Sequence, residues 1–293
     1  MKFTNALIGA SPLDYVELAR ASEAAGFASV SLSDHVFSPR TLSSAYPYTP
    51  DGKPIMLADE DWLDPWVAIG AMAAVTTTLE FMTNVYILPL RNPFVVAKAV
   101  GTAAVLSGDR VSLGIGAGWM KEEFDQLEQS FSTRGKRMNE MIDVLRLLWS
   151  GGMVEHRGDH YDFDPLEMRP APSKPVPIIV GGHSDAALRR AAQRGDGWIG
   201  VAYGVEELMA HCERLSRMRD DAGRADEPFE IYASPQAAPS PGLLAELAAA
   251  GVTSILTSAQ KALAPGSDPH DLPAAKEAIA KYSELFLGTT GSV

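Results

Sequence analysis

Cysteine and long apolar runs are scarce in this sequence. Cys212 is the single cysteine among 293 residues, which excludes an intrachain disulfide and a zinc site built on paired thiols. No window approaches the ~18 uninterrupted apolar residues of a membrane span. The amino terminus lacks the basic start, apolar core and small-residue cleavage site of a signal peptide. We therefore expect a cytoplasmic protein with no membrane partner.

Cations are also in deficit. Lysine and arginine total 25 against 37 aspartates and glutamates, which gives a formal net charge of −12. Such a chain repels phosphate backbones, and no basic cluster with interleaved aromatics offsets the deficit. His156 and His160 flank a glycine turn, so they would not share a helix face as metal ligands. We expect a small-molecule substrate, no nucleic acid and no metal.

Two common enzyme motifs are missing. A Rossmann fold needs Gly-x-Gly-x-x-Gly after its first strand, and Gly9-Ala10-Ser11-Pro12 does not supply it. The run from Gly114 to Gly118 is rich in glycine but lies in mid-chain without that spacing. The serine-hydrolase motif Gly-x-Ser-x-Gly is absent as well. A doubly wound dinucleotide-binding fold is therefore disfavoured.

Short β-branched runs alternate with helical stretches about eight times, a pattern typical of βα units around a parallel sheet. We predict one (β/α)8-barrel (TIM-barrel) α/β domain over residues 1–293. A long segment at 37–62 and a β-hairpin at 153–168 are predicted insertions at the carboxyl-end face. The predicted strands end at 7–9 or span 28–32, 79–88, 110–115, 177–180, 198–202, 229–233 and 252–257.

Polar residues follow two of these strands, at the face where barrel enzymes place their active sites. Asp34 and His35 follow the second strand, where an acid beside an imidazole suits hydrogen bonding to a ring or proton transfer. The alternative is a purely structural role, in which Asp34 and His35 cap a turn. Asn84 and Val85 end the third strand and offer an amide and backbone groups to a planar ligand, although a plain buried strand would show the same letters.

Two glycine-rich segments follow later strands. Their backbone N–H groups suit the approach of an anion, and the second lies directly at a helix amino terminus. The alternative is that glycine only makes the turn. Trp62, Tyr46 and Tyr48 lie in the long segment and are candidates to wall a pocket, while His211 and Cys212 are predicted packing residues. The residues of the two segments are Gly116, Ala117 and Gly118, then Gly181, Gly182, His183 and Ser184.

These strand-end motifs, in this order, resemble the bacterial luciferase-like family of (β/α)8 barrels, and most closely its coenzyme F420-dependent branch. The resemblance covers nearly the whole chain, and its strength lies in the ordered series rather than in any one motif. The motifs are Ser33-Asp34-His35, Asp64-Pro65, Leu88 to Pro93, Leu106 to Arg110, Gly114 to Trp119, Glu122-Glu123-Phe124, Arg134-Gly135, Gly181-Gly182 and Gly195 to Trp198.

The resemblance implies a deazaflavin or flavin across the barrel mouth. Its ring would lie near Asp34, His35 and a bulge at Asn84-Val85, where we predict a non-prolyl cis peptide. Its phosphate and polar groups would lie near 116–118 and 181–184. His35 is the polar group expected nearest the reacting carbon, with Asp34 as the second catalytic candidate.

One departure narrows the expected chemistry. Some relatives that act on sugar phosphates or alcohols carry a carboxylate after the first strand, where this chain has Ala10-Ser11, so sugar-phosphate dehydrogenation is disfavoured. We expect an F420-dependent oxidoreductase whose organic substrate enters between the 37–62 segment and the hairpin. An FMN-dependent monooxygenase and a non-catalytic cofactor-binding barrel are the alternatives. The resemblance also implies a homodimer.

Overall fold

The computed structural model describes residues 1–54, 61–260, 268 and 271–287. A closed parallel barrel runs in the order β1, β2, β3, β5, β8, β9, β10 and β11, and β11 pairs with β1. The predicted (β/α)8 barrel is confirmed. The strands are β1 Lys2–Ala6, β2 Ser29–Leu32, β3 Glu80–Thr83, β4 Tyr86–Ile87, β5 Val111–Gly116, β6 Val154–Arg157, β7 Asp162–Leu166, β8 Ile178–Gly181, β9 Gly197–Tyr203, β10 Glu230–Pro235 and β11 Ser254–Thr257.

Helices cover the outside of the barrel, and several begin at a residue whose side chain caps the helix. The Asp64 carboxylate accepts hydrogen bonds from the N–H groups of Trp66 (3.0 Å) and Val67 (3.1 Å), and Pro65 occupies the first helical position. The sequence predicts a frayed tail at 288–293, which lies outside the described residues. The helices are α1 Tyr15–Ala24, α2 Pro65–Ala73, α3 Pro93–Ser107, α4 Lys121–Gln126, α5 Arg134–Trp149, α6 Asp185–Arg194, α7 Val205–Asp221, α8 Pro241–Ala249 and α9 Leu272–Tyr282.

Alternate strand residues face opposite sides of the barrel wall, which separates the two larger parts of the core. Most buried apolar residues pack between the strands and the helices, Trp198 and Phe81 among them. A smaller cluster fills the barrel interior and forms the floor of its mouth. This floor consists of Met82, Ile179, Ile199, Tyr232 and Leu256, with Val85 and Val201 packed against it.

The third barrel position is made of two strands. The sequence predicts one strand over 79–88, but β3 ends at Thr83 and β4 begins at Tyr86. The peptide bond between Asn84 and Val85, which separates them, is cis, so the predicted non-prolyl cis peptide is confirmed. β4 still pairs with β5, which keeps the barrel closed on this side.

The predicted hairpin forms as β6 and β7 and packs on the outer helices. The Glu140 carboxylate on α5 accepts a hydrogen bond from the Tyr161 N–H (2.8 Å), and the Phe163 ring meets Phe94 of α3 at 5.0 Å. Phe94 is the second residue of α3, and the substrate entrance predicted beside this hairpin stays a prediction.

A single carboxylate secures the turn between α2 and β3. Glu23 accepts hydrogen bonds from the N–H groups of Thr77 (2.8 Å), Thr78 (2.7 Å) and Leu79 (3.0 Å). Burial raises the pKa of Glu23, but these backbone donors outweigh it and lower the pKa from 4.5 to about 2. The ionised carboxylate therefore stabilises the folded chain.

We expect Glu23→Gln to lower the free energy of unfolding by about 1 to 2 kcal/mol at pH 7, because bonds to a charged acceptor become bonds to a neutral one. The folded pKa lies below 4.5, so the contribution is complete above pH 4.5 and is lost as the pH falls toward 2. Urea unfolding between pH 3 and 7 measures this. The exposed Glu246→Gln is the control, and a wild-type advantage unchanged by pH would contradict the assignment.

Candidate active site

The segment Ser33-Asp34-His35, directly after β2, contacts three other parts of the mouth. The Ser33 hydroxyl donates a hydrogen bond to the Asn84 carbonyl oxygen at 3.1 Å, and the Asn84 N–H donates to the Leu32 carbonyl oxygen at 2.6 Å. The sequence therefore brings the two predicted strand ends together: β2 supports the bulge between β3 and β4 through both backbone and side-chain contacts.

Asp34 is buried, with 3% of its surface exposed, and both of its oxygens are engaged. The guanidinium of Arg91 binds them in a bidentate arrangement at 2.5 and 2.8 Å, and the Ile87 N–H donates to Oδ2 at 2.9 Å. Two donors at fixed positions hold β4 and Arg91 against β2. These contacts give Asp34 a positioning role, and its catalytic role stays a prediction.

His35 is paired with a carboxylate that the sequence analysis did not assign. Its Nδ1 lies 3.2 Å from Oε2 of Glu123, and the Glu123 Oε1 accepts the Val36 N–H at 2.7 Å. Glu123 is fully buried. A carboxylate at Nδ1 selects the tautomer with a hydrogen there, which leaves Nε2 on the other side of the ring as an acceptor. Such an imidazole can hold a proton on Nε2 while Glu123 offsets the charge.

Glu122, the neighbour of Glu123 in the first turn of α4, holds the long segment over the mouth. It accepts hydrogen bonds from the N–H groups of Ser43 (2.6 Å) and Ser44 (3.0 Å) and from both serine hydroxyls (2.6 and 2.7 Å). Burial raises the pKa of Glu122, but the serine donors outweigh it and lower the pKa to about 2. The carboxylate is ionised at neutral pH, when all four bonds are strongest.

The glycines at the ends of β5 and β8 form a notch for one side chain. A Cβ on Gly116 would lie 2.5 Å from Cγ2 of Val85, and one on Gly181 would lie 2.6 Å from Cγ1 of the same residue. Gly118 has a φ of +81° and a Cβ there would clash with Ile87 at 2.6 Å. These positions must be small so that the bulge can fit, and their predicted contact with a cofactor phosphate remains untested.

The segment Gly182-His183-Ser184 leads into α6. The Ser184 hydroxyl caps the helix by accepting the Ala187 N–H at 3.2 Å, so it already serves one of the free helix N–H groups. The His183 ring stacks on Tyr203 at a centroid distance of 4.3 Å. Burial and the nearby His211 lower the pKa of His183 to about 4, so its imidazole is neutral at pH 7.

Aromatic rings extend in contact across the mouth from β2 to β8. The His35 ring meets Trp62 (5.0 Å) and Trp119 (6.0 Å), and both contacts are edge to face. Trp119 meets Tyr46 (5.1 Å), Tyr46 meets Tyr48 (5.2 Å) and Tyr48 meets His183 (4.5 Å). We call these six rings the aromatic wall. It includes the three rings of the long segment that the sequence analysis proposed as a pocket wall.

Several buried polar atoms near the mouth have no hydrogen-bond partner among the described residues. Because an unpaired buried polar group is costly, these atoms suit a bound molecule with polar edges. They fit a flavin or deazaflavin, whose planar ring carries carbonyl and N–H groups. The atoms are Ser31 Oγ, Trp62 Nε1, His183 Nε2, Tyr203 Oη and Ser258 Oγ.

The part of the chain that the structure describes contains no group of three or more histidine, cysteine, aspartate or glutamate side chains able to hold a metal ion. None of its helices has the length and apolar character needed to cross a membrane. Cys212 is buried, and burial raises the pKa of its thiol to about 11, so it serves as a packing residue.

The family model described as luciferase-like monooxygenase matches residues 4–281, and the chain belongs to that family. It is accordingly an enzyme of the oxidoreductase class. An uncharacterized protein of Mycobacterium bovis, Mb0965c, is 43% identical over 218 residues, which cover 74% of this chain and 75% of the relative.

Two solved structures share the fold. The coenzyme F420-dependent tetrahydromethanopterin reductase of Methanopyrus kandleri superposes with a TM-score of 0.74 at 14% identity, covering 98% of this chain and 99% of that one. The oxygenating constituent of 3,6-diketocamphane monooxygenase from Pseudomonas putida, in complex with FMN, superposes with a TM-score of 0.60 at 17% identity, covering 80% and 67%. Structural neighbours thus use F420 or FMN.

The close packing of Val85 against Gly116 predicts the effect of enlarging that glycine. We expect Gly116→Ala to destabilise the protein by about 1 to 3 kcal/mol, because the added methyl overlaps Val85 in a closely packed place. Adding Val85→Ala should restore most of the loss, as the conflicting methyl groups are removed. Gly70→Ala is the control, since no atom lies within 4 Å of its Cβ position. Urea unfolding of the four proteins measures this, and failure of Val85→Ala to rescue would contradict the notch.

Proposed function

We propose that the protein is an F420-dependent oxidoreductase that transfers a hydride between the deazaflavin and a small or medium organic substrate. The observation that carries the proposal is the His35–Glu123 pair, an imidazole held by a fully buried carboxylate at the mouth of a luciferase-like barrel. Hydride transfer to or from a carbonyl or alcohol also moves a proton, and a histidine held in one tautomer suits that task.

The described residues suggest where the cofactor would be held. The bulge at Asn84-Val85 would support the ring, and the small segments 116–118 and 181–184 would lie beside its polar and phosphate groups. When bound, the deazaflavin supplies the carbon that gives or accepts the hydride. His35 would hold or release the proton at Nε2, and Asp34 would keep the bulge and Arg91 in place.

An FMN-dependent monooxygenase is the second candidate. The family name favours it, and so does the FMN-bound neighbour. The same ring site would serve FMN, while the aromatic wall would shield it from water. The wall and the His35–Glu123 pair suit both cofactors, so the choice between them rests on affinity.

We also propose a cytoplasmic homodimer. Helices α2 and α3 pack side by side and expose apolar side chains outward: Val67 is 75% exposed, Val95 64% and Leu106 69%. Neighbouring exposed apolar residues of this kind suit contact with a second copy of the chain.

Titration of the purified protein with F420 and, separately, with FMN distinguishes the two candidate functions. Each cofactor is used in its oxidised and its reduced form. Trp62 and Trp119 lie at the mouth, so we expect tryptophan fluorescence to be quenched on binding. Tighter binding of F420 supports the hydride-transfer proposal. Tighter binding of reduced FMN supports the monooxygenase. If neither binds, both proposals fail.

Variants of the histidine pair test the mechanism. We expect His35→Ala to lower kcat by roughly 100-fold, and Glu123→Gln to lower it by roughly 10-fold or more, because the amide no longer fixes the tautomer. The double variant should be no slower than His35→Ala, since both residues act through one imidazole.

A matched pair lies outside the mouth and provides the control. Glu140 contacts Nε2 of His156 at 3.3 Å on the outer side of the barrel, so Glu140→Gln should leave kcat unchanged. Steady-state kinetics with a substrate found by screening measures all four variants. Independent, additive losses from His35→Ala and Glu123→Gln would remove Glu123 from the mechanism.

A further inference from the structure

The aromatic wall bears on the substrate, which the proposed function leaves open. Its rings come from three strand ends and the long segment, and each touches the next edge to face. Edge-to-face rings present a surface on which another flat ring can stack or pack. We propose that the substrate of the proposed oxidoreductase is an uncharged, planar, aromatic or heteroaromatic molecule that packs against this wall. The inference rests on the proposed function.

The floor beneath the wall is apolar. Met82, Ile179, Ile199, Tyr232 and Leu256 fill the barrel interior, and each is at most 6% exposed. Val85 packs against them and fills the space beside Gly116 and Gly181. A ligand at the mouth therefore meets apolar atoms below and aromatic rings at its side, which favours a molecule with a large apolar surface.

The charged side chains at the base of the wall are already engaged. The Asp34 carboxylate is neutralised by Arg91, Glu123 holds His35 and the Val36 N–H, and Glu122 holds Ser43 and Ser44. The two glutamates have no lysine or arginine partner among the described residues. Two guanidinium groups close to the wall are engaged as well, since Arg91 binds Asp34 and Arg134 donates to the Gly118 and Phe131 carbonyl oxygens. The cations of the long segment that are described, Arg40 and Lys53, are solvent-exposed.

Three polar side chains of the wall, Tyr46, Tyr48 and His183, are neutral groups. Burial raises the pKa of the Tyr46 and Tyr48 hydroxyls, and burial lowers that of His183 to about 4, so none carries charge at pH 7. The Trp62 indole N–H and the His183 Nε2 are buried without a partner among the described residues. An indole N–H is a donor only. It suits a carbonyl oxygen or a ring nitrogen on the flat ligand.

Isothermal titration calorimetry of the full chain without cofactor tests the inference. The probes are 2-naphthol, which is planar and uncharged at pH 7, and 2-naphthoate, its anionic counterpart. We expect 2-naphthol to bind about 10-fold more tightly or better. Trp119→Leu and Tyr48→Leu should each weaken 2-naphthol binding by about 10-fold, whereas Tyr161→Leu, on the outer hairpin, should not. Thermal unfolding shows that each variant is folded.

Equal or tighter binding of 2-naphthoate, binding of neither probe, or affinities unchanged in both wall variants would overturn the inference. A second arm repeats the 2-naphthol titration with saturating F420 or FMN, whichever binds. Retained binding supports a substrate site, and loss of binding assigns the wall to the cofactor ring and overturns the inference. If neither cofactor binds, the proposed function fails, and the cofactor-free result still decides the chemistry of the wall.

Discussion

The buried pairing of Asp34 with Arg91 fixes the geometry on which the rest of the mouth depends. One carboxylate binds a guanidinium and the Ile87 N–H, and so ties the end of β2 to the backbone that follows the bulge. A buried ion pair adds little to the free energy of unfolding, but removal of one partner leaves the other as an uncompensated buried charge. The pair therefore acts mainly to position the end of β2 relative to β4. His35 directly follows Asp34, so its place at the mouth is set by the same contacts.

Size complementarity fixes the other side of the bulge. Val85 occupies the space left by Gly116 and Gly181 on two neighbouring barrel strands. The absence of side chains at those glycines is thus explained by packing within the protein before any ligand is considered. Val85 also packs against the apolar floor, so the same side chain links the bulge to the barrel interior.

Local pattern in the sequence predicted the barrel because its alternating strands and helices depend on residues close together along the chain. The cis peptide at Asn84-Val85 was predicted through the family resemblance alone. Contacts between distant residues were missed: Glu123 lies 88 positions from His35, and Arg91 lies 57 from Asp34. No periodicity specifies such partners.

Two neighbouring glutamates in the short helix α4 bind different parts of the mouth. Glu122 holds Ser43 and Ser44 of the long segment, and Glu123 holds His35, although α4 has only six residues. A rigid turn of helix therefore joins the cover of the mouth to its imidazole. Any substitution that displaces this turn of helix would therefore loosen both the hold on Ser43 and Ser44 and the hydrogen bond to His35.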